Sequence, residues 1–442
     1  MSKMKVWKQQ QVSELEKIKV GKGKACDEAI RSSNAGKSAG ESLIAGALYR
    51  ESAVAAENPT LPISSHKTPP TMATTESPYI PGPEIDSTFA HTTNLASAAL
   101  NTRIVACSNE YFAAASNLLT PTAPINRPGV FIHTGAWYDG WETRRHNPDA
   151  YDWVVIKLGT ARAAIQGVEV DTGFFVGNYG EKAEVQATCS DADDAVLADP
   201  SYAGWTTILP PQPCGPSQRR AWRVPGFDPK NPTPYTHVRL LMYPDGGFGR
   251  LRLYGHAIPA ARGERVAVAG AQDEKEEEEE EELSSALCGG LALAASDQHY
   301  TPCSNLLLPG RGKDMGDGWE TARSRAPGHV DWAIVQLGLP GAVSRVVVDT
   351  KDFRGNFPRA VRVHGLVKGE GGEGGPVAVP AHDHPGWVEI VKGDQRCQAD
   401  TEHVFQGADL AAGVDTQAFT HVKLTLVPDG GVKRFRVFGR RA

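Results

Sequence analysis

Val154, Ile156 and Leu158 alternate with Trp153, Val155 and Lys157, the period-two pattern of a strand that buries one face. The pattern returns at Ala333, Val335 and Leu337 against Trp332, Ile334 and Gln336. Short β-branched runs such as Arg345-Val346-Val347-Val348 are interrupted by Gly, Pro, Asp and Asn about every ten residues, which predicts an antiparallel sandwich or barrel. Two predicted hairpins follow the same plan. Val238 to Tyr243 turns at Asp245-Gly246 and returns through Arg250 to Tyr254, and Val422 to Val427 turns at Asp429-Gly430 and returns through Arg434 to Phe438. Alternation sets Arg250 and Arg252, and likewise Arg434 and Arg436, on the face opposite the apolar residues, where solvent is the expected neighbour.

This likeness extends along most of the chain. Asp139-Gly140-Trp141-Glu142-Thr143 recurs as Asp317-Gly318-Trp319-Glu320-Thr321. Ahead of it, Ser116-Asn117-Leu118-Leu119 answers Ser304-Asn305-Leu306-Leu307. Behind it, Asp152-Trp153, Val170-Asp171-Thr172, Gly177-Asn178 and Thr236-His237-Val238 answer Asp331-Trp332, Val348-Asp349-Thr350, Gly355-Asn356 and Thr420-His421-Val422. Partners lie about 178 to 188 positions apart, too long a period for a solenoid, so the chain is one domain duplicated.

The expected layout is a disordered extension over 1–94, with a short helix near residues 12–20, then a first copy over 95–260. An acidic linker over 261–286 and a second copy over 287–442 follow. The extension is rich in Ser, Ala, Lys and Thr and ends in a proline-bearing run, a poor source of core. The net charge of -6 arises mainly from residues 273–282, where nine acids face Lys275; the remainder is close to neutral. No basic cluster points to nucleic acid, and no apolar stretch is long enough to cross a membrane. Seven cysteines without a CxxC pair are expected to be reduced thiols. The start, Met-Ser-Lys-Met-Lys, lacks a signal-peptide core, so a cytoplasmic location is expected, with organellar targeting left open by the early lysines.

Zinc-protease, nucleophile-elbow, phosphate-loop and dinucleotide signatures are all missing. The candidate chemistry is a polar, aromatic-framed loop before a buried strand: Asp139, Trp141, Glu142, Arg144 and Arg145 in the first copy, Asp317, Trp319, Glu320 and Arg323 in the second. Arginine offers a planar fork to a carboxylate, and a carboxyl group can move a proton or orient an NH2 group. The structural alternative is that the Trp packs and the Glu and Arg fasten the loop. His237 and His421 are further acid/base candidates, against the commoner satisfied core histidine. Asp171 and Asp349 are read as turn caps ahead of arginine partners or cation ligands, and Gly177-Asn178 and Gly355-Asn356 as tight turns. No spacing demands a metal, although sandwich-loop Asp and carbonyl oxygens leave room for Ca²⁺ or Mn²⁺. Arg144 faces Ala322 across the duplication, so the copies need not be equivalent, and one composite site between them is also compatible with the sequence.

The segments Asp139 to Gly159 (DGWETRRHNPDAYDWVVIKLG), Val170 to Asn178 (VDTGFFVGN), Asn305 to Gly338 and Val348 to Pro358 (VDTKDFRGNFP) resemble the allantoicase (allantoate amidinohydrolase) family. The likeness covers about residues 100 to 442 outside the acidic linker; the long extension and the glutamate tract depart from the family's compact form. It implies an all-β fold of two tandem jelly-roll sandwiches of galactose-binding-like type. It further implies a hydrolase of ureide catabolism, converting allantoate and water to ureidoglycolate and urea, and a self-associating assembly. On that reading Arg145, with Arg144 or Arg323, holds the substrate carboxylate, Glu142 or Glu320 transfers a proton or recognises a ureido group, His237 and His421 stand in reserve, and Trp141 and Trp319 wall the site. A tandem non-catalytic carbohydrate-binding module is the alternative. The lack of a secretion signal and of a disulfide framework weighs against it.

Overall fold

The alternating segments fold as strands, and a computed structural model describes residues 77–261, 280–367 and 379–442. In the first repeat the strands are β1 (Tyr79–Ile80), β2 (Thr93–Asn94), β3 (Arg103–Cys107), β4 (Phe131–Ile132), β5 (Gly135–Ala136), β6 (Trp141–Glu142), β7 (Asp152–Lys157) and β8 (Arg162–Asp171). They continue through β9 (Lys182–Thr188), β10 (Thr206–Pro213), β11 (Arg219–Arg223), β12 (His237–Tyr243), β13 (Gly247–Phe248) and β14 (Arg250–Ile258). Two antiparallel sheets result, in the orders β1-β11-β8-β14-β2 and β10-β9-β12-β7-β3. Their inward residues, among them Val154, Ile156, Val168, Val170, Val185, Leu240, Leu251 and Leu253, form one core.

The second repeat uses β15 (Glu281–Glu282), β16 (Leu291–Ala295), β17 (Trp319–Glu320), β18 (Asp331–Asp349) and β19 (Ala360–Val367). It closes with β20 (Val388–Arg396), β21 (Glu402–Gln406), β22 (Phe419–Val427), β23 (Gly431–Val432) and β24 (Arg434–Arg441). Here β18 runs through both layers and stands for β7 and β8 together. Its beginning, to Gln336, pairs with β22 and β16, and its end, from Arg345 to Asp349, pairs with β24 and β21. The fold is therefore all-β, two sandwiches in tandem, as the periodicity predicts. The described residues fall within a single compact unit. Leu100 of the first repeat packs within the core of the second, and Arg441 Nη1 donates to the Ala260 carbonyl at 3.1 Å.

Three expectations need correction. Residues 77–94, assigned to the extension, belong to the first sandwich: Tyr79 and Ile80 pair with Trp222 and Ala221, and Ile85 and Phe89 are buried. The side chain of Phe89 stacks on Tyr254 at 4.3 Å, over Gly167, where a Cβ would lie 2.2 Å from the Phe89 ring. The end of the acidic tract is likewise not a solvated linker. Glu281 and Glu282 pair with Gly439 and Phe438, Glu282 meets Arg436 at 2.8 Å, and Glu281 pairs with Arg441. Arginines on the facing strand thus turn these acids into sheet edge. Finally, Arg250 and Arg434 do not face solvent but are buried. The suggested helix near residues 12–20 and the bulk of the acidic tract lie outside the described residues. Among the described residues no helix is long and apolar enough to cross a membrane.

Candidate active site

Each letter of the repeated Asp-Gly-Trp-Glu-Thr motif has a distinct physical task. Asp139 accepts from Arg250 Nη2 at 2.8 Å and from the Ile125 amide at 2.9 Å, tying the preceding loop down. Gly140 is needed because a Cβ there would lie 2.4 Å from the Phe248 carbonyl oxygen. Trp141 is fully buried and its Nε1 donates to the Asn109 carbonyl at 2.7 Å. Glu142 is left at the rim, and Thr143 closes a reciprocal pair with Gly246: its amide donates to the Gly246 carbonyl at 2.8 Å, and its Oγ1 accepts from the Gly246 amide at 3.2 Å. In the second repeat Asp317 binds Lys433 and the Lys313 amide, Trp319 Nε1 donates to the Asp297 carbonyl at 2.9 Å, and Thr321 pairs with Gly430.

The two rims that emerge are alike. Asn178 Nδ2 donates to Glu142 Oε1 at 2.7 Å, and Asn356 Nδ2 donates to Glu320 Oε1. Beside them, Arg145 Nε lies 3.5 Å from Asp245 Oδ1, while Arg323 donates to the Gly355 carbonyl at 3.2 Å, next to Asp429. Asp245 and Asp429 each accept an amide of the arginine loop, from Asn147 at 3.3 Å and from Ser324 at 2.8 Å. In the second repeat these groups line a cleft of about 180 Å³ together with Tyr300, Thr321, Phe357 and Gly430, all from that repeat. The composite-site expectation is not needed for it. In the first repeat Arg144 adds its guanidinium over the Tyr111 ring at 4.7 Å, a feature that Ala322 removes from the second.

Electrostatics at Glu142 favour the protonated carboxyl more than at an ordinary glutamate. Burial pushes its carboxyl above the ordinary glutamate value, and the Asn178 hydrogen bond and the Arg145 charge offset part of that rise. A carboxyl of this kind, held by an amide and beside an exposed arginine, can pass a proton to a nitrogen of an anionic ligand.

Several predicted site residues lie elsewhere. Trp141 and Trp319 wall nothing, being fully buried in the two cores. Asp139 and Asp317 face the arginine and lysine behind the loop rather than the cleft. His237 and His421 sit at the other end of the sandwiches: His237 opens β12 opposite Lys157, whereas the rim lies beyond Tyr243. Seven strand residues put roughly 20 Å between them. Asp171 and Asp349 behave as expected, the first accepting from the Gly173 amide at 2.7 Å, the second holding Arg311 through two bonds of 2.8 and 2.9 Å. Asn178, Asn356, Asp245 and Asp429 were missed as rim residues. The available signal was their recurrence in both copies, read as turn chemistry alone.

Among the described residues no group of three or more His, Cys, Asp or Glu side chains gathers as a metal centre.

Comparison with known proteins agrees with the duplication. The family profile described as the allantoicase repeat matches residues 93–258 and again 281–442. An allantoicase of Neurospora crassa is 49% identical over 363 residues, spanning 81% of this chain and 94% of its own length. An allantoicase of Saccharomyces cerevisiae is 43% identical over 343 residues, spanning 77% of this chain and 91% of its own. The crystal structure of allantoicase from Saccharomyces cerevisiae superposes with a TM-score of 0.63 at 40% identity, covering 79% of this chain and 93% of that one.

Proposed function

The chain belongs to the allantoicase family, and we propose that the Glu-Asn-Arg rim of each repeat is where it works on its substrate. The reaction is the hydrolysis of allantoate to ureidoglycolate and urea, a step of purine catabolism. Allantoate carries two ureido groups and a carboxylate on one carbon. Water forms the new C–O bond there, the C–N bond to one ureido group breaks, and the departing nitrogen needs a proton as it leaves as urea.

Arg145, assisted by Arg144, and Arg323 in the second repeat receive the substrate carboxylate and orient the molecule. Glu142 and Glu320 supply or take the proton, each aimed by its asparagine. The observation that carries this reading is the recurrence, in both repeats, of a carboxyl, an amide, an arginine and an aspartate side by side, which in the second repeat line one cleft. Purified full chain with allantoate should release urea. The folded double variant Glu142→Gln/Glu320→Gln should lose about 10²- to 10⁴-fold in turnover. No urea from the parent chain would sink the whole reading, and an undiminished double variant would remove the two glutamates from it. A cytoplasmic location and self-association are part of the same proposal, the latter read from family likeness and checked by sedimentation velocity.

A further inference from the structure

At the end of the first sandwich away from Glu142, a cleft of about 500 Å³ opens over the end of β7 and the start of β12. Arg103, Lys157, Thr160, Asp191 and His237 line it. His237 is 1% exposed, and its Nδ1 lies 2.9 Å from Thr236 Oγ1. That hydroxyl accepts from the Ser190 amide at 2.9 Å and has its own proton directed at the Thr188 or Ser190 carbonyl. With that proton on a carbonyl, the remaining lone pair is assigned to His237 Nδ1–H, the tautomer that leaves Nε2 as an acceptor. Burial, with Lys157 and Arg103 nearby, pushes the imidazole down to about 4, so the ring is neutral at physiological pH.

Two residues that line this cleft each carry a buried polar atom with no hydrogen-bond partner among the described residues: His237 Nε2 and Thr160 Oγ1, the latter on a residue 5% exposed. Buried polar atoms are normally paired, so two orphans on one opening point to a polar ligand. The duplication supplies the control. Gln336 stands opposite His421 as Lys157 stands opposite His237, Leu291 opens β16 as Arg103 opens β3, and Leu339 takes the place of Thr160. The Thr420–His421 contact persists at 3.0 Å, yet the polar lining around it is gone, with Leu291 and Leu339 buried instead. The fold does not require these polar groups; the first repeat alone has them.

Arg103 is held by Asp194 at 2.5 Å through one Nη2 hydrogen, Lys157 is exposed, and Asp191 adds an acceptor. The mixture suits a ligand bearing both a carboxylate and N–H donors. We infer that this cleft is a second, non-catalytic binding site for a small ureido acid, with the carboxylate on Lys157 and Arg103 and a ureido N–H on His237 Nε2. The choice of ureido acids rests on the allantoate reading; the cleft itself does not. Thr160 Oγ1 would take up the second ureido contact.

Hydantoate (N-carbamoylglycine) is a suitable probe, because it has the carboxylate and one ureido group but no second ureido group on the same carbon to be cleaved. Calorimetric titration of the full chain should show hydantoate binding that survives in Glu142→Gln/Glu320→Gln. It should weaken at least tenfold in Thr160→Leu/Arg103→Leu, which installs the second repeat's residues, and at least threefold in the exposed change Lys157→Gln. Urea release from saturating allantoate should stay within twofold of the parent in both cleft variants. The inference fails if the parent binds no hydantoate, if folded cleft variants bind it undiminished, or if inorganic phosphate competes as well as hydantoate. Because binding is read directly, an absence of urea release would overturn the proposed function and leave this test standing.

Discussion

Glu142 illustrates how a functional carboxyl departs from what stability alone would choose. Its folded-state pKa is raised, mainly by burial, so over the window above the unfolded value the native chain holds a proton that the unfolded chain has released. Stability therefore falls as pH rises through that window, and at neutral pH the side chain opposes folding. Glu142→Gln should consequently be no less stable than the parent at pH 7, as read by denaturant unfolding, and the difference should shrink as pH falls below the ordinary carboxylate range. Loss of turnover with retained stability is the signature of a residue kept for chemistry. Arg145 acts on the same proton. Its charge lowers the Glu142 pKa, so in Arg145→Met the activity limb belonging to this carboxyl should move to higher pH while KM for allantoate rises. An unmoved limb with an unchanged KM would place Arg145 outside the site. The pair was visible in the sequence, but Asn178 was not. An Asn after Gly fits a turn equally well, and no pattern in one chain reveals that its amide points 36 residues back along the chain to Glu142.

Hairpins and loops are where the sequence misled and the structure explains why. Period-two alternation correctly sorts Leu251 and Leu253 from Arg250 and Arg252, yet it cannot tell whether the second face meets water or another loop. Here the segment from Thr120 to Ala123 lies over it. Arg250 donates to the carbonyls of Thr122, Asp139 and Gly249 at 2.8, 3.0 and 2.7 Å and to the Asp139 carboxylate; Arg252 takes Thr120 at 2.6 Å. Arg434 repeats the device with Gly310, Asn305 and Asp317. The motif's aspartate therefore belongs to the scaffold, and so does its tryptophan, whose burial follows from a side chain too large to stay wet beside Phe248. Removing the Arg250 guanidinium would strand Asp139 and several carbonyls. Arg250→Met should lose about 3 to 5 kcal/mol by denaturant unfolding, the usual penalty for breaking a buried pair. A loss under about 1 kcal/mol, typical of a surface ion pair, would contradict the anchoring role.

At the scale of the whole molecule, duplication was legible because landmark residues recur in order, whereas the edges of the repeats were not. Their edges are decided by small contacts, Phe89 against Gly167 and Glu282 against Arg436, that composition obscures within a polar tail and an acidic tract. The same kind of contact joins the repeats. With Leu100 seated in the second core and Arg441 bonded to Ala260, the second core is incomplete without the first repeat, and the two should unfold as one cooperative unit. Cysteines report on this independently. Cys107 and Cys214 pack on the first core and Cys288, Cys303 and Cys397 in or on the second; burial pushes Cys107 and Cys288 up to about 11 and Cys214, Cys303 and Cys397 to about 12. At pH 8 each would be a thiolate at about one part in a thousand or less, and shielded as well. A disulfide reagent should therefore react slowly at these five in the native chain and promptly at exposed Cys189. With rising denaturant the thiols of both cores should become reactive at one midpoint, coincident with loss of tryptophan fluorescence. Two separated midpoints, one for Cys107 and Cys214 and another for Cys303 and Cys397, would show that the repeats are independent and that the Leu100 contact does not couple them.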